Sequence, residues 1–429
     1  MDAFEIVTLL IVAAAILSFI NYRFLRLPAT IGVMILAVAL SGGLIILSSV
    51  WPAAGDVRRW ALEALGRVHF DRLLLHGMLA FLLFAGGLHI KLRELGSLAL
   101  PIALLALVGT VVSALLLGLG LFELLHLTHL AEVPLTGCLL FGALISPTDP
   151  IAVLAIMKRV GAPHRLEVVI SGESLFNDGI AVVMFITLLQ LSSMPGATPS
   201  VGEVLWLLVR QAGGGMLFGL ATGLATYLML RSVDDFEVEI LLTLALAMGA
   251  YAGAEALNVS APIAEVTAAL VIGNAARSRA MSEQTRTNLD LFWTLVDSIL
   301  NAVLFLLVGV QALSTSFSGE VWMLGGIGIV LALLARTISV AAVGLLTRPR
   351  RESFWSSLMV LTWGGLRGGI SLALALSLPS TPYRGTLVSV TYLVVIFAMG
   401  VQGLTIGPLI RRLYRKRLAD EEWSPANAH

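Results

Sequence analysis

The stretch ALISPTDPIAVLAI, residues 143–156, places two prolines three positions apart in the middle of an apolar run. A proline lacks the backbone N–H and clashes with the preceding turn, so Pro147 and Pro150 predict a helix that breaks here. Such a break frees backbone carbonyls that protein, water or an ion must satisfy. A structural proline kink is the alternative, but Asp149 lies between the prolines, and a carboxylate inside a membrane helix is functional by default.

This run belongs to a chain of 429 residues, of which 58% are hydrophobic and 13% are charged. Soluble domains carry about 25% charged residues, so the composition predicts a polytopic, all-α membrane protein embedded in a lipid bilayer. The formal net charge of zero argues against a nucleic-acid partner. No loop or terminus is long enough to bury a core of its own. We therefore expect a single transmembrane domain over 1–412 and a short cytoplasmic tail over 413–429.

Windows of about 20 apolar residues predict about thirteen membrane-spanning helices. They cover residues 4–22, 29–50, 73–90, 98–125, 135–157, 167–190, 203–230, 237–256, 261–276, 291–312, 321–347, 354–378 and 386–410. The segment 51–72 mixes charged and apolar residues and is expected outside the membrane or at its interface. With the N-terminus outside, most of the 27 Lys and Arg residues fall on one side. The positive-inside rule makes that side, and the C-terminus, cytoplasmic.

A second polar cluster, ESLFNDGIAVV (173–183), lies in the sixth predicted span. Helical spacing places Glu173 and Asn177 on one face, and Ser174 and Asp178 on a neighbouring strip. Because about one turn separates the two acids, ionising both is costly, so a proton or a metal ion must be present or a basic side chain must pair with one of them. A polar contact that only fixes helix packing is the favoured interpretation for Glu173, but not for Asp178.

Three arginines, Arg210, Arg336 and Arg367, also lie within predicted spans. Arg336, near the midpoint of the eleventh span, needs a carboxylate partner, and Glu173 is preferred because that pairing leaves Asp178 uncommitted. In the twelfth span, WGGLRGGISLALALSLP (363–379) brackets Arg367 with four glycines, which predicts a second interrupted helix. Interruptions in the fifth and twelfth spans occupy matching places in two halves, which points to inverted repeats and a transporter site.

The other polar residues of the spans give weaker signals. The seven histidines lie at span ends or in loops without metal-ligand spacing, and no cofactor is expected. Asp297 and Glu265 lie in the terminal parts of their predicted spans, so a solvated or interface position is expected for each. The single cysteine, Cys138, excludes an intrachain disulfide.

Four motifs occur in order along the chain: SPTDP (146–150), ESLFNDG (173–179), GGLRGGISLALALSLP (364–379) and VQGLTIGPL (401–409). Together they resemble the monovalent cation:proton antiporters of NhaP and NHE type, a family of sodium/proton antiporters. The resemblance implies a homodimer of thirteen-helix subunits in the cell (inner) membrane, each with a dimerisation bundle and a six-helix transport bundle. It also implies that the fifth and twelfth helices are discontinuous and cross beside the sixth.

The resemblance also assigns individual residues. Asp178 would be the carboxylate that binds the ion and the proton, with Asn177 as its motif partner. Glu173 and Arg336 would form a structural ion pair, and Arg367 would lie near the helix crossing. The residues that the resemblance implies as Na+ ligands are Asp178, Asp149, Thr148 and Ser174.

The chain departs from the family in the third span, where many bacterial members read FEGGL. Here the stretch is LLFAGGLHI (82–90), so Ala85 replaces the acid, which leaves the preference among Na+, Li+ and K+ open. The Asn-Asp pair resembles the electroneutral branch, and we expect H+ and Na+ to compete for Asp178 in an alternating-access mechanism.

Several other functions remain alternatives. One is a potassium/proton antiporter of the same family, and another is a symporter for an organic solute. A channel would need a pore-lining filter, which the sequence does not show. An intramembrane aspartyl protease could use Asp149 and Asp178, but the GxGD element of such enzymes is absent.

Overall fold

A computed structural model describes residues 3–67, 73–96, 98–192, 201–315, 317–347 and 353–414. Nearly all of these residues are helical and none of them forms a strand, which confirms the predicted all-α class. The tail predicted over 413–429 lies outside the described residues from position 415 onward, as does 68–72 at the end of the predicted interfacial segment.

The α-helices of the described residues are α1 (Ala3–Ile20), α2 (Ala29–Ser48), α3 (Pro52–Arg67), α4 (Leu79–Leu88), α5 (Leu92–Gly96), α6 (Ala99–Ala103), α7 (Thr110–Thr128), α8 (Leu135–Ile145), α9 (Ile151–Val160), α10 (His164–Ser192), α11 (Val201–Leu230), α12 (Phe236–Ala256), α13 (Ala261–Val271), α14 (Arg277–Arg279), α15 (Glu283–Val310), α16 (Gly319–Thr347), α17 (Phe354–Trp363), α18 (Gly369–Leu376), α19 (Arg384–Phe397) and α20 (Gly403–Leu413). Short π-helical turns extend or join several of them, at Asn21–Leu25, Leu73–Met78, Leu104–Gly109, Ile272–Ala276 and Ala398–Gln402. A 3-10 turn, Gln311–Leu313, follows α15.

Nine helical stretches in this part of the chain are long and apolar enough to cross a membrane. They are Phe4–Leu25, Ala29–Ser48, Ala99–Thr128, His164–Ser192, Trp206–Leu230, Phe236–Ala256, Glu283–Leu313, Gly319–Thr347 and Arg384–Leu413. Each coincides with one predicted span, whereas 73–90, 135–157, 261–276 and 354–378 contain shorter or interrupted helices. Large apolar side chains such as Trp206 and Leu217 are exposed, as lipid contact requires. The chain is therefore a multi-pass membrane protein.

Two segments interrupt helices at the places that the sequence predicts. The first break, residues 146–150, separates α8 from α9, and the second break, residues 364–368, separates α17 from α18. Two prolines remove backbone donors from the first break, and three glycines loosen the second. The breaks meet directly, because the Asp149 N–H donates a hydrogen bond of 2.8 Å to the Leu366 carbonyl oxygen.

Small residues bring neighbouring helices close together. A Cβ added at Gly118 of α7 would lie 2.9 Å from the Cys138 carbonyl oxygen of α8, so only glycine fits there. Gly219 of α11 has the same relation to Ala264 of α13. In a membrane, where apolar surface gains nothing by leaving lipid, such close backbone packing holds helices together.

Candidate functional site

Asp178 lies in the middle of α10, at the wall of a cavity of about 630 Å³. The side chain is 9% exposed, and this exposed part faces the cavity. Among the described residues no side chain forms a hydrogen bond or an ion pair with its carboxylate. Asp178 is therefore a buried acid without a fixed counter-charge, which is unfavourable unless a proton or a cation joins it.

A hydroxyl pair connects α10 to the first break. The Thr148 and Ser174 hydroxyl oxygens are 2.9 Å apart, and the Asn177 side-chain amide donates to the Thr148 hydroxyl over 2.8 Å. All three side chains are buried, with at most 2% exposure. Ser174 lies one turn before Asp178, and both Ser174 and Thr148 line the cavity. The structure thus brings neutral oxygen atoms next to the uncompensated carboxylate.

Asp149 in the first break is the second acid of this group. One of its carboxylate oxygens accepts a hydrogen bond of 3.0 Å from the Ile151 N–H, and the side chain lies close enough to Asp178 to repel it electrostatically. A Cβ at Gly368 of the second break would overlap the Asp149 carboxylate. The glycine therefore allows the two breaks to approach each other around this acid.

Arg367 stabilises the meeting point of the breaks, and it forms no ion pair with an acid among the described residues. It is 3% exposed, and its guanidinium donates to the carbonyl oxygens of Ser146 and Pro147 over 2.6 and 2.9 Å. These carbonyls belong to the end of α8 and have lost their helical partners. A cation at a helix C-terminus also interacts favourably with the negative end of the helix dipole. Arg367 thus fixes the first break from the second.

Glu173 and Arg336 form a bidentate ion pair between α10 and α16. One guanidinium nitrogen donates to Glu173 Oε1, and the other donates to Oε2 over 2.9 Å. The exposed fraction is 1% for Glu173 and 5% for Arg336. Arg336 also donates to the Leu361 carbonyl oxygen, just before the second break. Glu173 is thus neutralised, whereas Asp178, about one turn away, is not.

The cavity reaches the surface among charged residues from α5, α9 and the loops beside them. Lys91 donates a hydrogen bond of 3.1 Å to Glu94, and His164 lies 3.2 Å from the other oxygen of the same carboxylate. The hydrogen bond from Lys91 is the main reason why the pKa of Glu94 is below its usual value. Lys158 lines the same mouth. All these residues lie on the side that the sequence predicts to be cytoplasmic.

Two acids differ from the sequence prediction. Asp297 of α15 lines the cavity together with Asp149 and Asp178, although a position near the end of its span was expected to be peripheral. The prediction for Glu265 of α13 is wrong: it is 0% exposed, and neither carboxylate oxygen has a hydrogen-bond partner among the described residues. The sequence gives the depth of these residues in a span, but not the face that meets the cavity.

Carboxylate and hydroxyl oxygens are the ligands that hard cations prefer. The described residues contain no cluster of three or more His, Cys, Asp or Glu side chains that could hold a resident metal ion. The arrangement at Asp178 therefore suits a loosely held monovalent cation, or a proton, better than a permanent metal centre.

Comparison with known proteins gives one consistent result. The family model described as sodium/hydrogen exchanger, transmembrane, matches residues 8–412. The chain is 44% identical over 416 residues to the Na+/H+ antiporter NhaP of Pseudomonas aeruginosa. The matched region covers 96% of this chain and 97% of that protein. It is 34% identical over 412 residues to the Na+/H+ antiporter NhaH of Halobacillus dabanensis, and this matched region covers 95% of this chain and 97% of that protein.

The fold is also similar to a solved structure. The sodium proton antiporter MjNhaP1 of Methanocaldococcus jannaschii superposes with a TM-score of 0.74 at 18% sequence identity. The match covers 96% of this chain and 99% of that chain. At this identity the comparison supports the fold.

Proposed function

We propose that this chain, which belongs to the sodium/hydrogen exchanger family, is a secondary active antiporter that exchanges Na+ for H+ across the cell (inner) membrane. Its curated relatives bear the name Na+/H+ antiporter. The observation that carries the proposal is the position of Asp178, a buried acid at a cavity wall with no basic partner among the described residues. A mobile ion has to supply the missing charge.

In the proposed mechanism, H+ and Na+ compete for Asp178. Oxygen atoms of Asp149, Thr148 and Ser174 would replace part of the hydration shell of Na+, and Asn177 would hold Thr148 in place. An empty, ionised Asp178 is costly to move through a low-dielectric barrier, whereas a protonated or Na+-loaded site is not. If only loaded forms cross, the two fluxes are coupled in alternating access.

The architecture that we propose for this mechanism has thirteen spans in inverted repeats, with the two breaks forming the crossing of the fifth and twelfth spans. Glu173 and Arg336 would serve as a structural ion pair, and Arg367 would stabilise the crossing. Residues 1–412 would form one domain of a homodimer, with the N-terminus outside and the C-terminus cytoplasmic. The charged cavity mouth would then face the cytoplasm.

We further propose electroneutral exchange of one Na+ for one H+, because the residue before Asp178 is Asn177 and not a second acid. A potassium/proton antiporter is the alternative, since Ala85 lines the cavity without an oxygen ligand of its own. The family is one of transporters and not of enzymes, so the aspartyl protease reading is excluded.

The test is proton movement in proteoliposomes, monitored with a pH-sensitive dye, with Na+, Li+ and K+ added in turn. Asp178→Asn should abolish exchange while the melting temperature stays close to that of the wild type, because the amide keeps the shape of the side chain. Appreciable exchange by a folded Asp178→Asn variant would contradict the proposal. Repeating the assay with the membrane voltage clamped by an ionophore tests whether the exchange is electroneutral. The rate of electroneutral exchange does not depend on the membrane voltage, so the clamp should leave it unchanged.

A further inference from the structure

A face of α15 that no part of the proposed mechanism uses also lines the cavity. Thr294, Asp297 and Asn301 follow one another at spacings of three and four residues, which puts them on one side of the helix. All three line the same cavity as Asp178. This polar strip lies within an otherwise apolar span.

Asn301 is a buried polar group in this cavity wall. Its side chain is 2% exposed, and its amide lies within reach of the Asp297 carboxylate, but the geometry of a hydrogen bond between them is not met and neither amide atom has another partner among the described residues. The hydroxyl of Ser371 in α18, which is 1% exposed and lines the same cavity, also lacks a partner there. Buried side-chain oxygens and nitrogens in native proteins nearly always have a partner, so these groups indicate a bound water or ion.

The surroundings of Asp297 place it between the mouth and the deep site. It interacts electrostatically with His89, which lies two residues before Lys91 of the mouth, and with Asp149 of the first break. Within the described residues, no Lys or Arg forms an ion pair with Asp297. The strip therefore lies near His89, just after α4, and near Asp149 in the first break, within the same cavity that Lys91 and Asp178 line.

We propose that Asp297 and Asn301 form a second cation subsite, where a monovalent cation pauses between the cavity mouth and Asp178. The carboxylate of Asp297 supplies charge and the amide oxygen of Asn301 supplies a neutral ligand, a combination suited to a partly hydrated Na+. A cation held there also offsets the repulsion among Asp297, Asp149 and Asp178 while the deep site is loaded. This proposal rests on the antiporter function proposed above.

The test begins with Asp297→Asn in the full chain, in proteoliposomes. Loss of a charged ligand should raise the Na+ concentration for half-maximal exchange about tenfold, with a smaller effect on the maximal rate. Asp290→Asn is the matched control, since Asp290 lies on the same helix but pairs with Arg277 away from the cavity. Asn301→Ala should shift the same concentration in the same direction, and it serves in case Asp297→Asn fails to fold.

Binding of radioactive 22Na+ in detergent separates the two subsites. The Asp178→Asn variant should lose exchange yet bind 22Na+ in competition with unlabelled Na+, and the added change Asp297→Asn should remove that binding. Equal binding by the single and double variants, or an unchanged half-maximal Na+ concentration in folded Asp297→Asn and Asn301→Ala, would overturn the second subsite. Failure of the antiporter function would show separately, as a wild-type protein that does not exchange Na+ for H+, and failure of the Asp178 assignment would show as exchange that persists in Asp178→Asn.

Discussion

Glu173 and Asp178 lie on one helix, about a turn apart, and meet opposite electrostatic surroundings. Two N–H groups of Arg336 neutralise Glu173, whereas Asp178 faces the cavity with Asp149 as a nearby acid. The sequence predicts the partner of Glu173, because an arginine in the middle of a span requires a carboxylate. What distinguishes the two acids is therefore the position of one cation on another helix.

Removing one member of the buried pair should destabilise the protein more than removing both. Glu173→Gln leaves the charge of Arg336 buried and uncompensated, which should lower the free energy of unfolding by about 3–5 kcal/mol. Thermal melting of the variants in detergent measures this loss of stability. The double variant Glu173→Met with Arg336→Met should recover much of the loss, because two apolar side chains need no partner.

The control for this prediction is Glu94→Gln at the cavity mouth. Glu94 also contacts a basic residue, Lys91, but its side chain is 37% exposed and water screens the pair. The melting temperature of Glu94→Gln should stay close to that of the wild type. If Glu173→Gln melted like Glu94→Gln, the structural role of the buried pair would be wrong.

Two other acids mark the limit of sequence reasoning at this scale. Asp297 and Glu265 each lie near the end of a predicted span, yet one lines the cavity and the other is completely buried. The spacing of polar residues can mark one face of a span, but the sequence does not show whether that face meets a cavity or a neighbouring helix. That information arises only when α13 and α15 pack against the rest of the molecule.

At the scale of elements, the two breaks stabilise each other. Prolines and glycines predict where each helix stops, and the structure has both interruptions. The contacts that join them, from Arg367 to Ser146 and Pro147 and from Asp149 to Leu366, connect residues far apart in the chain. No local pattern specifies such contacts, so they could not be predicted from the sequence.

The close approach of the breaks makes a prediction about one glycine. Gly368→Ala adds a methyl group where the Asp149 carboxylate lies, so the acid must shift away from its present position. We expect exchange in proteoliposomes to slow by about tenfold or more, since a displaced Asp149 carboxylate no longer has the position that ion binding requires.

Gly385→Ala in α19 is the matched control, because no heavy atom lies within 4 Å of a Cβ added there. It should exchange at the wild-type rate. Equal rates for the two alanine variants, both folded by melting assay, would show that the fit of Gly368 against Asp149 does not matter for transport.

At the scale of the whole molecule, the cavity that Asp178 lines is also lined by Lys91, Lys158 and His164, which lie on one side of the described residues. The distribution of basic residues predicts this side to be cytoplasmic. The sequence predicts the spans and their direction, because both depend on local composition. It does not predict to which side the site is open, because this depends on how the helix bundles pack.

Labelling of cysteines tests the orientation and the cavity together. Gly86 lines the cavity and has room for a side chain, since its added Cβ would have its nearest contact at 3.6 Å, with Leu175. In a Cys138→Ala background, Gly86→Cys should react with a membrane-impermeant maleimide in inside-out vesicles and not in right-side-out vesicles.

Gly385→Cys, expected near the outer surface, should show the reverse pattern. Na+ should slow the labelling of Gly86→Cys alone, because an ion bound in the cavity obstructs the reagent. Labelling of Gly86→Cys from the outer side only would invert the topology, and equal labelling from both sides would contradict a cavity that is closed at one end.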